Sequence, residues 1–302
     1  MKRILMFLVV NIAAVTMLTL AAAVVCSLCG VDVAQLAESG ENFAPLLLFS
    51  FVFGMAGSLI SLCLSKTIVK KTMKCRVIDG TEGDAERWLV QTVRSLAERA
   101  GVGMPEVAIY PGEANAFATG ARRNHALVAV STRIMEQMSR EELRAVLGHE
   151  MTHVANGDMV TMGLAQGVVN TFVIFFSHVL ASVVQGALSG GKNNRRGRGG
   201  YGLYHILVQV FQMAAGVLAA VVLMWYSRKR EYAADAGSAH ILGSPAPMIA
   251  ALRRLGNLQP GILPESIKAF GINGGMKSLF ASHPSMEDRI NALMNLPPDY
   301  AV

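Results

Sequence analysis

Four long runs without a charged residue are the feature that most limits how this chain of 302 residues can fold. The runs cover residues 4–28, 43–65, 159–189 and 203–227. Each is long enough for a membrane helix, because about 20 apolar residues span the hydrocarbon core of a bilayer. Hydrophobic residues make up 52% of the chain, which excludes a disordered chain. Charged residues make up only 16%, which disfavours a single water-soluble globule.

The two pairs of runs differ in polarity. The first pair is apolar throughout and reads as an uncleaved membrane hairpin, since run 4–28 is longer than the core of a signal peptide. The second pair carries polar side chains, which at membrane depth usually face protein or a watery cavity. These are Gln166, Asn170, His178, Gln185, His205, Gln209 and Gln212. We expect the second pair to cross as a hairpin; the alternative that neither run crosses stays open.

Basic residues indicate which side of the membrane each segment occupies. Lys2 and Arg3 precede the first run, and five lysines and arginines lie between residues 66 and 76, after the second run. The loop 31–42 contains acidic residues and no basic one. The positive-inside rule therefore places the N-terminus and the segment after residue 65 in the cytoplasm. This flanking pattern accounts for most of the net charge of +6, so no nucleic-acid partner is expected.

The segment between the two pairs of runs has the pattern of a water-soluble α+β fold. Helical spacing predicts a helix over 86–100, and short β-favouring stretches at 106–110, 114–119 and 125–131 predict a small antiparallel sheet. Ser139 with Glu142 forms a capping-box pattern, so a helix should begin there and end near Asn156, before Gly157.

We therefore divide the chain into four parts. Residues 1–66 form the first transmembrane hairpin, and residues 67–158 form the first cytoplasmic half. Residues 159–227 form the second hairpin, with a Gly/Arg-rich loop at 190–202. Residues 228–302 form a C-terminal helical half, with helices expected at 245–258 and 286–296.

The sequence His149-Glu150-Met151-Thr152-His153 is the clearest chemical signal. In a helix, residues i and i+4 lie on the same face, so both imidazoles can reach one metal ion. Glu150, next to the first histidine, can approach a water molecule bound there, as in other H-E-x-x-H sites.

A third metal ligand is available in the segment 231–235. A catalytic zinc ion takes three protein ligands and leaves one position open for water, and Glu231 can supply the third ligand. Asp235, one helical turn later, is placed to hydrogen-bond a ligand histidine. His153 and Glu231 must meet at one ion, so runs 159–189 and 203–227 must leave and return to the same side of the membrane.

Together these motifs resemble the HtpX-type heat-shock membrane metalloproteases, which are related to the CAAX prenyl-protease group. The resemblance rests on four segments in the same order and covers nearly the whole chain: Ala-Asn-Ala-Phe-Ala at 114–118, the histidine motif at 149–153, Arg-Lys-Arg-Glu-Tyr-Ala-Ala-Asp at 228–235 and Ser-His-Pro-Ser-Met-Glu-Asp-Arg-Ile at 282–290. The Gly/Arg-rich tract departs from the family pattern and bears on topology alone.

The resemblance implies a mostly α membrane protein with four apolar helices and a cytoplasmic zincin-like domain. It implies one Zn²⁺ per chain, bound by His149, His153 and Glu231, with Glu150 as general base. His283 and Arg289 would stabilise the oxyanion, and the strand with Asn115 would bind substrate along its edge.

It also implies a role for this chemistry in the cell. The chain would be a zinc endopeptidase of a bacterial inner membrane, with its active site on the cytoplasmic side. Its substrates would be polypeptides, chiefly misfolded or damaged membrane proteins. The oligomeric state stays open.

Two other functions fit part of the pattern. One is a processing protease of the CAAX type, and the other is a membrane zinc carrier or catalytically inactive scaffold. In a carrier, the ligands should lie within the apolar runs, and Glu150 would have no role.

Overall fold

The computed structural model describes residues 43–188, 198–257 and 283–297, together with residues 12, 16, 20, 24, 27 and 28. The helices in these ranges are α1 Ala44–Thr72, α2 Asp84–Arg99, α3 Thr132–Gln137, α4 Arg140–Asn156, α5 Asp158–Leu188, α6 Arg198–Leu242, α7 Ala246–Asn257 and α8 Met286–Met294. The strands are β1 Arg76–Ile78, β2 Glu106–Tyr110, β3 Ala116–Thr119 and β4 Leu127–Ser131. The chain is thus mostly helical, with one small sheet.

Three described helices are long and apolar enough to cross a membrane: α1, α5 and the part of α6 from Tyr201 to Leu242. They confirm three of the four predicted runs as long helices, and run 4–28 lies almost wholly outside the described residues. The sequence suggested a boundary near Ser227, but α6 continues without a break to Leu242. Glu231 therefore lies on the same helix as the fourth run.

The chain divides into two compact units. Among the described residues, the first contains α1 as far as Ile60 and residues Gly163–Met224 of α5 and α6. Within it, Ser50, Gly54 and Ser58 form the buried face of α1. A Cβ atom on Gly54 would lie 2.5 Å from the backbone nitrogen of Thr171, so the helices pack almost backbone to backbone, as is common between membrane helices.

The second unit contains Ser61–Met162 and the chain from Trp225 onward. Its sheet has the strand order β1-β2-β4-β3. The β1–β2 and β3–β4 pairs are antiparallel, but β2 and β4 are parallel, with Glu106 opposite Leu127. The predicted strands are confirmed at β2, β3 and β4, whereas the prediction of a wholly antiparallel sheet is wrong at the β2–β4 pair. Sequence reasoning also missed β1.

The burial of each strand explains this order. Every residue of β4 is buried, whereas alternate residues of β3 are only half-buried. A strand with both faces covered favours the centre of a sheet, and β3 therefore lies at the edge. Because the chain reaches the edge first and then returns through the centre, β4 runs in the same direction as β2.

Helix α4 has the ends that the sequence predicts. The Ser139 hydroxyl accepts a hydrogen bond from the backbone N–H of Glu142, and the Glu142 side chain accepts one from the backbone N–H of Ser139. Gly157 ends the helix in the left-handed conformation, with φ 63°. Helix α4 packs against α2, α7 and β3, so it lies in the core of the second unit.

Small residues allow α4 to approach α6 closely. A Cβ atom on Gly148 would lie 2.8 Å from the Ser238 hydroxyl oxygen, and one on Gly237 would lie 2.3 Å from Cγ2 of Thr152. The Ser238 hydroxyl donates a hydrogen bond of 2.7 Å to the carbonyl oxygen of Ala145. This contact brings the histidine-bearing face of α4 against the face of α6 that carries Glu231 and Asp235.

We expect Gly237→Ala to lower the free energy of unfolding of the second unit by about 1–3 kcal/mol, because the added methyl group overlaps Thr152. The measurement is the thermal unfolding midpoint of the purified protein. Gly216→Ala, on the same helix, is the matched control, since no described atom lies within 4 Å of its added Cβ. Equal unfolding midpoints for the two variants would show that the contact between Gly237 and Thr152 leaves room for a methyl group.

Candidate active site

Three buried side chains from two helices converge in the second unit. His149 and His153 lie one turn apart on α4, and Glu231 lies on α6. The two Nε2 atoms are 3.1 Å apart. Glu231 Oε2 lies 3.5 Å from Nε2 of His149, and Oε1 lies 3.3 Å from Nε2 of His153. The three side chains form a group that can hold one metal ion.

Each histidine is held at its other ring nitrogen by a buried carboxylate. Nδ1 of His149 lies 2.8 Å from Oδ1 of Asp235, and Nδ1 of His153 lies 2.7 Å from Oδ2 of Asp158. With Nδ1–H donating to a carboxylate, the lone pair of each Nε2 faces the centre of the group, which is the arrangement that metal-binding histidines adopt.

Sequence reasoning anticipated Asp235 but missed Asp158. Asp158 is the first residue of α5 and is buried, at 7% exposure. In a continuous helix it would lie too far around the axis from His153 to reach its ring. The left-handed turn at Gly157 redirects the chain, so the combination of a histidine, a helix-ending glycine and an adjacent aspartate was the available signal.

Burial and the nearby carboxylates have opposite effects on the pKa values of the two imidazoles. Burial alone would lower the pKa of His153, but the hydrogen bond to Asp158 and the nearby Glu231 raise that pKa to about 10. Burial likewise disfavours the charged form of His149, but Asp235 and Glu231 together raise its pKa above the ordinary value. Without a metal ion, the group therefore attracts protons, which compete with a cation for the same nitrogens.

Arg289, on α8, is a second buried link in this network. Its Nε and Nη2 atoms donate to the two carboxylate oxygens of Asp235, at 2.7 and 2.6 Å. Its Nη1 atom lies 3.7 Å from Glu231 Oε2. This two-pronged contact holds Asp235, and through it His149; the oxyanion role that the resemblance implies for Arg289 stays a prediction.

His283 lies at the open side of the group. Its side chain is 61% exposed, and its Nδ1 atom lies 2.7 Å from Glu231 Oε2. This buried oxygen is within ion-pair distance of His283 and Arg289, but no described group forms a hydrogen bond with it. A buried carboxylate oxygen without a donor is costly unless a cation approaches it.

Glu150 connects the group to the edge of the sheet. Its Oε2 atom accepts a hydrogen bond of 2.8 Å from the backbone N–H of Ala118 in β3. Asn115 lies just before β3, and its backbone is fixed by three hydrogen bonds. Its N–H donates to the Ser131 hydroxyl, and its carbonyl oxygen accepts from the Ser131 N–H and from the Tyr110 hydroxyl. The side chain of Asn115 is exposed, so a fixed backbone presents its amide to solvent next to the edge strand.

A comparison with models of protein families shows to which family this group of residues belongs. A model described as peptidase family M48 matches residues 84–296, which include the whole histidine and carboxylate network. The chain belongs to peptidase family M48. It is therefore a metalloprotease, and its long apolar helices make it a membrane protein.

Curated relatives agree over the full length. A protein named "Protease HtpX homolog" from Janthinobacterium sp. (strain Marseille) is 51% identical over 298 residues, covering 98% of this chain and 100% of the relative. A protein of the same name from Bordetella pertussis is 51% identical over 300 residues, covering 98% of this chain and 99% of the relative. The resemblance to HtpX-type membrane metalloproteases is thus confirmed.

A solved structure supports the fold. The crystal structure of S. mikatae Ste24p superposes with a TM-score of 0.58 at 20% identity and covers 92% of this chain. This chain spans 65% of the length of that protein. At this identity the likeness concerns the fold alone.

We expect Asp158→Ala to weaken metal binding by about 10–100-fold, because His153 loses the acceptor that orients its ring. The measurement is the dissociation constant from competition with a coloured chelator. Asp158→Asn keeps a neutral acceptor and should lose less. Asp84→Ala, at the first residue of α2 and largely exposed, is the control and should bind metal as the unmodified protein does. Unchanged binding in Asp158→Ala would contradict the assignment.

Proposed function

We propose that the metal of this protease is zinc and that His149, His153 and Glu231 bind one ion per chain. A tetrahedral zinc site with ligand distances of about 2.0–2.2 Å separates neighbouring ligand atoms by roughly 3.3–3.6 Å. The two Nε2 atoms are 3.1 Å apart, and each lies near a Glu231 oxygen, His153 at 3.3 Å from Oε1 and His149 at 3.5 Å from Oε2, so the group has about the size that such a site needs. The unsatisfied Glu231 oxygen, pointing at the same centre, is the observation that carries the proposal.

Glu150 is the general base of the proposed reaction. Zinc, when bound, polarises a carbonyl group and acidifies a coordinated water molecule. The Glu150 carboxylate then accepts a proton from the attacking water and delivers it to the amine that leaves when the peptide C–N bond breaks. The hydrogen bond from Ala118 N–H holds this carboxylate beside the sheet edge, so that its second oxygen remains available for the proton.

The outer edge of β3 is the proposed substrate strand. It is not paired with another described strand, because β3 is last in the sheet order. A peptide can add there through backbone hydrogen bonds, which recognise an extended chain with little preference for its side chains. Asn115, at the start of this edge, would bind the substrate backbone through its exposed amide.

His283 and Arg289 are proposed to stabilise the negative oxygen that forms during hydrolysis. His283 is suited to this by its exposure at the open side of the group. Nε and Nη2 of Arg289 donate hydrogen bonds to Asp235, whereas Nη1 lies on the side of Glu231. Nη1 is therefore the atom proposed to donate to the negative oxygen.

The cellular setting is proposed from the relatives and from charge. HtpX homologues from bacteria, together with the lysine-rich end of α1, support a bacterial inner-membrane protein whose active site faces the cytoplasm. The family resemblance supports damaged membrane proteins as substrates.

We also propose that the chain is organised in four parts, with boundaries after residues 66, 158 and 227.

We expect Glu150→Gln to retain zinc and to lose proteolysis by about 10²–10⁴-fold, because the amide cannot accept the water proton. The measurement pairs elemental analysis of the purified protein with cleavage of casein. Glu141→Gln, exposed on the same helix, is the matched control and should remain active. Substantial cleavage by Glu150→Gln would exclude it as the general base.

Removal of the metal should abolish cleavage, and added zinc should restore it, because the three ligands cannot activate water by themselves. The experiment treats the detergent-solubilised protein with a chelator, verifies metal loss by elemental analysis and then adds zinc. Cleavage that persists after verified metal loss would contradict a metal-dependent reaction. Zinc that binds without restoring cleavage would instead favour an inactive zinc-binding scaffold.

A further inference from the structure

The turn between β3 and β4 is a basic surface that the proposed catalytic chemistry does not use. Arg122, Arg123 and His125 are all exposed there, and residues Arg123–His125 form a short 3-10 helix. Neither arginine forms an ion pair with an acidic residue in the described part of the chain. Both guanidinium groups therefore face solvent without a counter-charge from the described residues.

Helix α1 fixes the position of this turn. The Lys66 ammonium group donates a hydrogen bond of 3.2 Å to the carbonyl oxygen of His125. The same ammonium group lies 2.7 Å from Oε1 of Glu106, and Lys70 pairs with the other carboxylate oxygen of Glu106. These contacts place the arginine-bearing turn beside the helical turn of α1 that contains Lys66.

Lys66 marks the level at which α1 leaves the hydrocarbon of the membrane. It is the first charged residue after the uncharged run 43–65. At a rise of about 1.5 Å per residue, that run is long enough to cover a hydrocarbon core of about 30 Å. A turn held beside Lys66 is therefore at the depth of the lipid headgroups.

The surrounding charges leave the arginines free for an external anion. Two effects act on the pKa of Glu106. Partial burial raises this pKa, but the hydrogen bonds and positive charges of Lys66 and Lys70 lower it by more, so the pKa of Glu106 lies below its usual range. Glu106 therefore stays ionised and neutralises one of the two positive charges of Lys66 and Lys70. Arg122 and Arg123 add further positive charge, at the depth where the headgroups of an anionic leaflet lie.

We propose that Arg122 and Arg123 bind the phosphate groups of anionic phospholipids and so hold the β3–β4 turn on the membrane surface. Guanidinium groups suit this task because they present several donors to phosphate oxygens. Juxtamembrane basic residues gain from the negative potential of a cytoplasmic leaflet, by roughly fivefold in binding for each charge.

The consequence for catalysis rests on the proposed function. Strand β3 ends at Thr119, immediately before this turn, and its Ala118 N–H contacts Glu150. Lipid contact at the turn would place this end of the substrate strand, together with its hydrogen bond to Glu150, close to the bilayer surface. Extended segments that emerge from the membrane could then add to β3 without first diffusing into the cytoplasm.

The test measures lipid binding in a chain that cannot cleave, so that its result is independent of protease activity. Full-length protein with Glu150→Gln is placed in nanodiscs of phosphatidylcholine, with and without phosphatidylglycerol. The amount of phosphatidylglycerol retained after release from the nanodisc is measured by native mass spectrometry. We expect the double variant Arg122→Gln/Arg123→Gln to lower the apparent affinity for phosphatidylglycerol by about 10-fold or more.

Two further variants make the result specific. Arg94→Gln/Arg253→Gln removes two exposed arginines elsewhere in the second unit and should retain phosphatidylglycerol as the parent does. Arg122→Lys/Arg123→Lys keeps the charge and should restore most of the binding. Equal retention by the parent and by the glutamine variant at the turn overturns the proposal. Equal competition by inorganic phosphate also overturns it, since the surface would then bind free anions rather than lipid.

Discussion

The burial of acidic side chains around His149 and His153 is the constraint on which the rest of the second unit depends. Asp158, Glu231 and Asp235 are all buried, and a carboxylate removed from water needs a cation or hydrogen-bond donors close to it. The Arg289 guanidinium and the two imidazoles meet part of this need. Helices α4, α5, α6 and α8 must therefore all be in place together, and the site and the fold stabilise each other.

Two helices with the length and composition of membrane spans also carry residues of the site. Asp158 begins α5, and Glu231 and Asp235 lie in the last part of α6, with no linker between the apolar sequence and the site residues. The orientation of His149 and His153 is thus set by carboxylates on these two helices. In a membrane protease, this continuity means that the long apolar helices contribute residues to the site itself.

Much of the site could be predicted because its signals are local. The four-residue spacing of His149 and His153 places both rings on one helical face, and the ends of α4 follow from Ser139 and Gly157. Glu231 and Asp235 were recognisable because they repeat the same one-turn spacing on a second helix. The two-pronged contact of Arg289 with Asp235 was not recognisable, because it joins residues 54 positions apart that only packing brings together.

Local patterns predicted long helices at three of the four apolar runs, both ends of α4 and the helical face that carries His149 and His153, because each depends on residues within a few positions of one another. The packing of the folded chain places β4 at the centre of the sheet, parallel to β2, and lets α6 continue to Leu242. The same packing forms three hydrogen bonds that sequence reasoning did not predict: between His153 and Asp158, from the Ala118 N–H to Glu150, and from Lys66 to the carbonyl oxygen of His125 in the arginine-bearing turn. These features depend on which surfaces bury each other across long stretches of chain, and no local pattern records that choice.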